Sequence, residues 1–482
     1  MSSAVFTASA RPAPVAQPVR PALAKSDEIA IPFWLIALLI ATIFIPRGVD
    51  LRIGTAEVSP QRLVSMVLLP WMLIATRAKL TWIDLLVPAG LTSSIISMQQ
   101  SGTPTVQLIE TTGRSILDAW TLYVLGRTLP MFPETLRKAM TWLVWVMVAL
   151  LPTVILEGLT GLNPHVLFWK SFFPSVSHPV KTEVRYGVIR AFAWSGHPIM
   201  VGFTYLAVLS VALHAAFERN RLVGAFPWVK ATLLLVGSVF SMSSGAIVTV
   251  ALLLALYAYD YGLMMLRVPA MTRWLAVWIG GPTLWIVLDM ASGRPLLRIL
   301  MMNLHLSSSL AWHYRWKLLE RVWDSMPGYW WFGHGTAPPP SFSGYARSID
   351  NQYMAILLTG GMVAMIIFIA RVVLPLFFGG RAVWLGKDTD EAKLGRAFGL
   401  VVLAYALGAI SVAVFSTAGS MLTLFVGLTI GQAQAIRLGF AGGRAGAPAA
   451  EPAPESAEPS GRRRGTFVGR RALADAGREG GS

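Results

Sequence analysis

Long apolar stretches recur along this chain of 482 residues, and they constrain its fold more than any other feature. Each runs for about 16–25 residues, the length that an α-helix needs to cross roughly 30 Å of hydrocarbon. Lipid offers no hydrogen-bonding partners, so a backbone inside it must bond to itself. With a mean hydropathy of +0.59, the sequence predicts an all-α polytopic integral membrane protein.

We predict about twelve transmembrane helices within a transmembrane domain at 29–438. The second and fourth are short or polar, and the stretch 229–262 could be divided differently. The spans are expected near 29–46, 60–76, 81–98, 112–129, 139–157, 197–217, 229–243, 244–262, 272–290, 351–378, 396–415 and 418–436. Residues 1–28 and 439–482 are rich in Ala and Pro or Gly and lack an apolar core, which predicts two disordered cytoplasmic arms.

The short loops predict the orientation of these helices. Every loop on the side of the N-terminus carries Lys or Arg, as in 126–138 and 218–230, which is typical of cytoplasmic loops. An even number of helices places both termini on that side. The two long loops, about 158–196 and 291–350, then lie on the outer face of the membrane. Both are basic, which predicts that the outer face meets an anionic partner.

Composition excludes several kinds of chemistry. The chain has no cysteine, so disulfides and thiolate metal sites are excluded. The chain has a net charge of +16, and its C-terminal tail is rich in arginine, which favours attraction to anionic membrane lipids over nucleic-acid binding. No Walker motif, Rossmann glycine pattern or carboxylate cluster for a divalent ion occurs, so we expect neither a metal nor another cofactor.

The stretch "YRWKLLERVWDSMPGYWWFGHG" at 314–335 is unusually charged for so apolar a chain. On a helix over 312–326, Lys317, Glu320, Arg321 and Asp324 share one face, and Trp312, Trp316, Leu319, Val322, Trp323 and Met326 share the other. This predicts an amphipathic helix at the outer membrane surface that ends at Pro327–Gly328. Arg315 falls on the apolar face. It either reaches lipid phosphates or an internal carboxylate, or it faces a cavity that binds a phosphorylated substrate.

The order of motifs around this stretch resembles the O-antigen ligase and O-antigen polymerase (Wzy-type) superfamily of bacterial membrane glycosyltransferases. That family carries an arginine, an aromatic helix, a Pro-containing turn, a G-x-G motif and a His-Asn or Asp-Asn pair before the next helix. Here Arg315 leads, "GHG" at 333–335 follows, and Asp350–Asn351 opens "NQYMAILLTGGM". "RAFAWSGHPIMVGF" at 190–203 and "FSMSSGAIVTVALLL" at 240–254 resemble two further elements, although an arginine often found after the serines is absent.

The resemblance implies a GT-C-like glycosyltransferase that transfers glycan from an undecaprenyl-diphosphate carrier to a sugar hydroxyl at the periplasmic face. A departing diphosphate develops negative charge, which fixed cations stabilise without a metal. Arg315 and Arg190, one from each long loop, are the expected catalytic arginines, and Arg185 and Arg321 are further candidates for binding the substrate. The pathway would also supply a flippase and a chain-length regulator as partners.

The acceptor hydroxyl needs a base or an orienting group, and Asp350 is the third expected catalytic residue. Asp350 either contacts that hydroxyl or caps the helix that follows, or does both. Asn351 is its motif partner. His334 lies between Gly333 and Gly335, which would let a ligand approach the backbone, although an exposed loop histidine is the alternative. His197, before Pro198, is expected to line the site or to serve the fold.

Three functions remain open from the sequence. Likeness to the family's polymerases favours polymerisation of exopolysaccharide or O-antigen repeat units. This likeness rests on the Asp-Asn pair, the "GHPI" segment and the shortness of the outer loops relative to those of the family's ligases. The first alternative is a ligase that transfers O-antigen to lipid A core. The second is a transporter or flippase of lipid-linked sugars, which would be expected to show internal repeats and helices broken near the midplane.

Overall fold

The computed structural model describes residues 31–53, 56–75, 80–176, 183–220, 222–292, 309–335, 349, 351–386, 389–410 and 412–439. This part of the chain is almost entirely helical. Its helices are α1 (Phe33–Thr42), α2 (Pro60–Ala75), α3 (Leu86–Gln100), α4 (Thr105–Ser115), α5 (Thr121–Thr128), α6 (Pro133–Thr160), α7 (Pro164–Phe172), α8 (Pro198–Phe217), α9 (Pro227–Phe240), α10 (Ser244–Met265), α11 (Ala270–Leu275), α12 (Gly281–Ser292), α13 (Ser309–Ser325), α14 (Gln352–Gly386), α15 (Asp390–Gly408) and α16 (Ser416–Leu438).

Two short antiparallel hairpins interrupt the helices. Strands β1 (Leu51–Ile53) and β2 (Ala56–Val58) pair after α1. Strands β3 (Val184–Arg185) and β4 (Val188–Ile189) pair before α8, with Val184 opposite Ile189. The chain is therefore all-α apart from these four short strands within the described residues.

Every predicted membrane stretch overlaps a helix, or two helices joined by a π-helical turn. Such turns at Ile116–Trp120 and Ala276–Gly280 join α4 to α5 and α11 to α12. Among the described residues, five helices are long and apolar enough to cross a membrane, namely α6, α8, α10, α14 and α16. These helices confirm the all-α class and fit an integral membrane protein. The count of twelve crossings remains a prediction, and the predicted arm at 1–28 lies outside the described residues.

Helix α8 lies at the centre of the bundle. From Pro198 to Ala216 every residue except Ile199 is buried, because the helix is apolar on all sides and packs against α6, α9, α10, α15 and α16. Small residues allow this close packing: the Ser238 hydroxyl of α9 donates to the Gly202 carbonyl at 2.9 Å. Tyr405 of α15 donates to the Phe203 carbonyl at 2.7 Å. Helix α8 thus fixes the position of the segment that precedes it.

Contacts between helix termini define the two ends of the bundle. At one end, which we call the His197 end, the ring of His197 before α8 contacts the ring of Phe415 before α16. At the opposite end, Glu218 after α8 pairs with Lys393 at the start of α15, with 2.6 Å between Nζ and Oε2. Helices α8 and α16 therefore run parallel to each other, and α15 runs antiparallel to α8. Parts of both predicted long loops, including β3–β4 and α13, adjoin helix termini of the His197 end.

Helix α14 is broken near the His197 end. Gly361 has a φ of 69° and a ψ of −169°, so the backbone leaves the helix there for one residue. The segment 330–335 bonds to the groups that the break frees. The His334 amide donates to the Leu358 carbonyl at 2.7 Å, and the Gly335 amide donates to the Thr359 carbonyl at 2.9 Å. In the other direction, the Met362 amide donates to the Trp330 carbonyl at 2.7 Å, and the Val363 amide donates to the Trp331 carbonyl at 3.2 Å. Such pairing is required where a helix breaks inside a membrane.

Candidate anion-binding site

The β3–β4 hairpin brings two of the predicted arginines onto one carboxylate. Its turn, Tyr186–Gly187, has positive φ at both residues, as a two-residue hairpin turn requires. Arg190 Nη1 lies 2.5 Å from Glu183 Oε2, and Arg185 Nη2 lies 3.6 Å from the same oxygen. The amide of Arg190 also donates to the Glu183 carbonyl at 3.1 Å. The hairpin therefore presents two guanidinium groups at one exposed carboxylate.

The charges of this hairpin set the ionisation of Glu183. The hydrogen bond from Arg190, together with the nearby charges of Arg190, Arg185 and His197, holds the pKa of Glu183 below its usual value. Because the folded pKa is depressed, the ion pair is intact at neutral pH and is lost only as the pH falls through that lower value. Arg190 is 7% exposed, and its buried Nε has no hydrogen-bond partner among the described residues.

Glu157, near the end of α6, positions the segment that follows Arg190. Its carboxylate is 1% exposed and accepts hydrogen bonds from the amides of Phe192 and Ala193, at 3.1 and 2.8 Å. Asn163 donates to the same carboxylate at 2.9 Å and to the Ala193 carbonyl at 2.8 Å. Sequence reasoning missed Glu157. The signal was an acidic residue at the end of the apolar run "LLPTVILE", where a charge needs a dedicated set of partners.

His197 serves the fold as the cap of α8. Its Nδ1 accepts a hydrogen bond from the Ile199 amide at 3.3 Å, and its half-buried ring packs edge-on against Phe415. The motif at 240–254 lies close by. The Ser243 hydroxyl accepts the Ala246 amide at the start of α10, and Arg185 Nη1 donates to the Met242 carbonyl at 3.5 Å. The structure thus brings the two predicted motifs before α8 and α10 together.

Helix α13 confirms the predicted helix at 312–326, and it packs on α14 through one narrow stripe of its surface. Leu318, Val322 and Met326 are buried against Leu357 and Leu358 of α14. Lys317, Glu320 and Asp324 are exposed as predicted, and Arg321 is half-buried. Leu319 is only half-buried and Trp323 is 59% exposed, so these two residues of the predicted apolar face lie outside the stripe that packs on α14. Contact of the apolar face with the outer membrane surface remains a prediction.

The structure does not describe the side chains of two predicted catalytic residues. The backbone of Arg315 belongs to α13, three residues before Leu318 and seven before Val322, but its side chain lies outside the described part. Asp350 lies outside the described residues altogether. Both assignments therefore remain predictions.

Asn351 is the N-cap of α14, which removes the alternative that Asp350 caps this helix. The Asn351 Oδ1 accepts the Met354 amide at 3.0 Å, and its Nδ2 donates to the Ile410 carbonyl at 2.7 Å. The cap lies at Asn351 because α14 begins at Gln352. The Gln352 amide donates to the Ala409 carbonyl, and the Gln352 Oε1 accepts the Val414 amide at 2.6 Å. Asp350 precedes the cap. A contact with the acceptor remains its predicted role.

His334 is held by its own loop. Its Nε2 lies 2.8 Å from the Ser325 carbonyl oxygen, and its ring stacks on Tyr329 with 4.0 Å between centroids. Gly333 and Gly335 have φ of 66° and 67°, and both face protein backbone. A β-carbon at Gly333 would lie 2.6 Å from the Thr359 carbonyl carbon, and one at Gly335 would lie 2.8 Å from the Ser97 carbonyl oxygen. The two glycines thus let the loop approach α14 and α3, a reason for them that the sequence did not reveal.

Replacing Gly333 by alanine is expected to destabilise the protein more than the matched change at Gly328. Both residues have positive φ, but a β-carbon at Gly328 meets open space. The Gly328→Ala variant is therefore destabilised only by placing alanine in a positive-φ conformation. The Gly333→Ala variant must in addition move the loop away from α14. We expect the apparent unfolding temperature of detergent-purified Gly333→Ala to fall at least about 5 °C further. Equal temperatures for the two variants would contradict the packing role of Gly333.

The segment 412–415 lies between the arginine hairpin and the α13–α14 region. Phe415 contacts His197 on one side, and Val414 bonds to Gln352, next to Asn351, on the other. The His197 end therefore gathers Arg185, Arg190 and Glu183 on one side of this segment and Asn351 on the other. Buried, pre-positioned guanidinium groups of this kind suit a phosphate or diphosphate ligand. No model of a known protein family matches the chain, and no curated protein matches it.

Proposed function

We propose that this protein polymerises lipid-linked polysaccharide repeat units of an exopolysaccharide or O-antigen. It would transfer glycan from undecaprenyl diphosphate to an acceptor sugar hydroxyl at the periplasmic face of the bacterial inner membrane. The observation that carries the proposal is the buried Arg190 beside Arg185, held at the end of an apolar helix bundle where a membrane-anchored diphosphate would lie. The motif order from 190 to 351 supports the same reaction.

The reaction needs one bond to break and one to form. The bond between the anomeric carbon and the diphosphate oxygen breaks, and the acceptor hydroxyl oxygen bonds to that carbon. Undecaprenyl diphosphate leaves with the electron pair, and Arg190, Arg185 and Arg315 stabilise its charge. Asp350 takes the proton of the acceptor hydroxyl, or orients that hydroxyl for attack. Arginines supply the positive charge in this scheme, so no metal is invoked.

The break of α14 at Gly361 favours a transporter at first sight, because broken helices are typical of transporter sites. In transporters the freed backbone groups face the transported ion or substrate. Here the freed groups of α14 bond to residues 330–335 instead. The break thus serves to attach a loop, and the candidate arginines gather at the His197 end alone. These features favour an enzyme that acts at one membrane face.

Labelling of single cysteines tests the proposed orientation. The chain has no cysteine, so each introduced thiol reports alone. Tyr186 is 77% exposed in the β3–β4 turn at the His197 end, and Arg267 is an exposed residue after α10 at the opposite end. We expect a membrane-impermeant maleimide to label Tyr186→Cys in intact spheroplasts, and Arg267→Cys only after lysis. The reverse pattern would contradict a periplasmic site.

The fate of lipid-linked glycan in cells that lack the protein tests the function and separates it from ligation. A polymerase defect leaves single repeat units on undecaprenyl diphosphate, and restoring the gene restores long chains. A ligase defect instead leaves long chains on the lipid carrier and none on lipid A core. Unchanged chain length and attachment would contradict both functions. A flippase defect leaves single units on the cytoplasmic side of the membrane.

A further inference from the structure

Arg47 lies in the segment between α1 and β1, outside both predicted long loops. It is exposed, and its Nη1 is 4.0 Å from the position that a β-carbon on Gly196 would occupy. Gly196 directly precedes His197, which caps α8. The Arg47 guanidinium therefore borders the segment that links the hairpin to α8. Nothing in the sequence motifs singled out this residue.

The backbone next to Arg47 is docked against the segment after α7. The Ser175 hydroxyl donates to the Gly48 carbonyl at 2.6 Å. Gly48 has a φ of 93°, and a β-carbon there would lie 2.7 Å from the Ser175 carbonyl oxygen, so the two backbones are in close contact. Val49 is buried with Val176 in a small apolar cluster. This packing fixes the residues that follow Arg47.

The residues before Arg47 are fixed as well. The His165 Nε2 of α7 lies 2.9 Å from the Phe44 carbonyl oxygen. The Phe44 ring packs edge-on against Trp194, with 5.2 Å between centroids. Trp194 lies four residues after Arg190, in the segment whose start Glu157 positions. Arg47 thus projects from a rigid support that is joined to the arginine hairpin, and an arginine fixed at its base loses less freedom when it binds a ligand.

We propose that Arg47 is a further arginine of the diphosphate-binding site, supplied by the segment after α1. This inference rests on the proposed function. Glu183 balances one of the charges of Arg185 and Arg190, so those two arginines and Glu183 carry one net positive charge. Arg47 raises the net charge of these described side chains to two, which favours binding of the roughly two negative charges of a diphosphate diester. Arg47 contacts the phosphate that the hairpin alone leaves uncompensated.

Binding of inorganic pyrophosphate to the purified full-length protein tests this proposal. We expect Arg47→Ala to weaken binding at least about tenfold, as measured by isothermal titration calorimetry in nanodiscs, since a charge-assisted contact is lost. Arg47→Lys should recover part of the affinity. Lys170→Ala is the control, because Lys170 is an exposed cation of the neighbouring α7. Its affinity and the unfolding temperature of all three variants should equal those of the wild type.

Wild-type affinity in Arg47→Ala would overturn the proposal, and so would the absence of pyrophosphate binding by the wild type. An equal loss in Lys170→Ala would also overturn it, because the effect would then be one of general charge. Failure of the proposed function looks different. Pyrophosphate binding that depends on Arg47, in a protein that does not lengthen lipid-linked glycan, would uphold the site and remove the polymerase.

Discussion

Replacing Arg190 by lysine is expected to lower glycan elongation at least ~100-fold while the protein accumulates in the membrane at a near-normal level. Lysine keeps the positive charge and its partner Glu183. It loses the planar fork through which a guanidinium binds two phosphate oxygens at once. The loss should therefore fall on catalysis, and it is measured as the length of lipid-linked glycan in cells that carry only the variant. Arg315→Lys is expected to have the same effect, on the strength of the motif resemblance.

A second Arg→Lys substitution, far from the site, controls for general effects of replacing arginine by lysine. Arg437 is an exposed residue near the end of α16, away from the His197 end, and Arg437→Lys should elongate glycan normally. Normal elongation by Arg190→Lys would show that Arg190 only ties β3–β4 together. Loss of folded Arg190→Lys protein would likewise assign Arg190 to a structural ion pair. Normal elongation by Arg315→Lys would leave that residue as an anchor at the membrane surface.

Asp350→Asn is expected to stop elongation at single repeat units without affecting the fold. Asparagine keeps the size of aspartate and one acceptor oxygen, but it cannot take a proton at neutral pH. Because Asn351 already caps α14, Asp350→Ala should fold equally well and be equally inactive. Chain length of the lipid-linked glycan and membrane abundance are measured for both variants. Wild-type length in Asp350→Asn would remove Asp350 from the mechanism, and His334 would be the next residue to test.

Asn351→Ala provides the comparison for capping. This variant loses the bonds of Asn351 to the Met354 amide and the Ile410 carbonyl, so its stability should fall by about 1 kcal/mol. Asp350→Ala should show no such fall. If Asp350→Ala were destabilised as much as Asn351→Ala, the separation of capping from catalysis at these two neighbours would be wrong.

The helices could be predicted from the sequence because their cause is local. Each apolar stretch of sufficient length favours a helix wherever it packs, so the positions of α6, α8, α10 and α16 followed from composition. Helix α13 was predicted by its periodicity for the same reason. The stripe of α13 that packs on α14 was not predicted, because Leu318 and Trp323 differ in exposure through contacts with α14, some 35 residues further along the chain.

The site could be predicted only in part, since its geometry depends on distant contacts. The motifs pointed to Arg190 and Arg185 as candidates, but not to their shared partner Glu183, because the β3–β4 hairpin that joins them carries little signal in two-residue strands. Glu157 and Arg47 were missed because their importance lies in partners about 30 to 150 residues away. The reason for Gly333 likewise lies in the break at Gly361, which no local pattern indicates.

Glycan transfer by the purified protein tests the proposed activity most directly. The protein is reconstituted in vesicles with an undecaprenyl-diphosphate-linked repeat unit of the producing cell, without nucleotide sugars or added metal. Polymerisation predicts lipid-linked glycans of two or more repeat units and one released undecaprenyl diphosphate for each new linkage, with Arg190→Lys strongly impaired. Repeat units that stay single while they move across the bilayer would contradict the polymerase and identify a transporter.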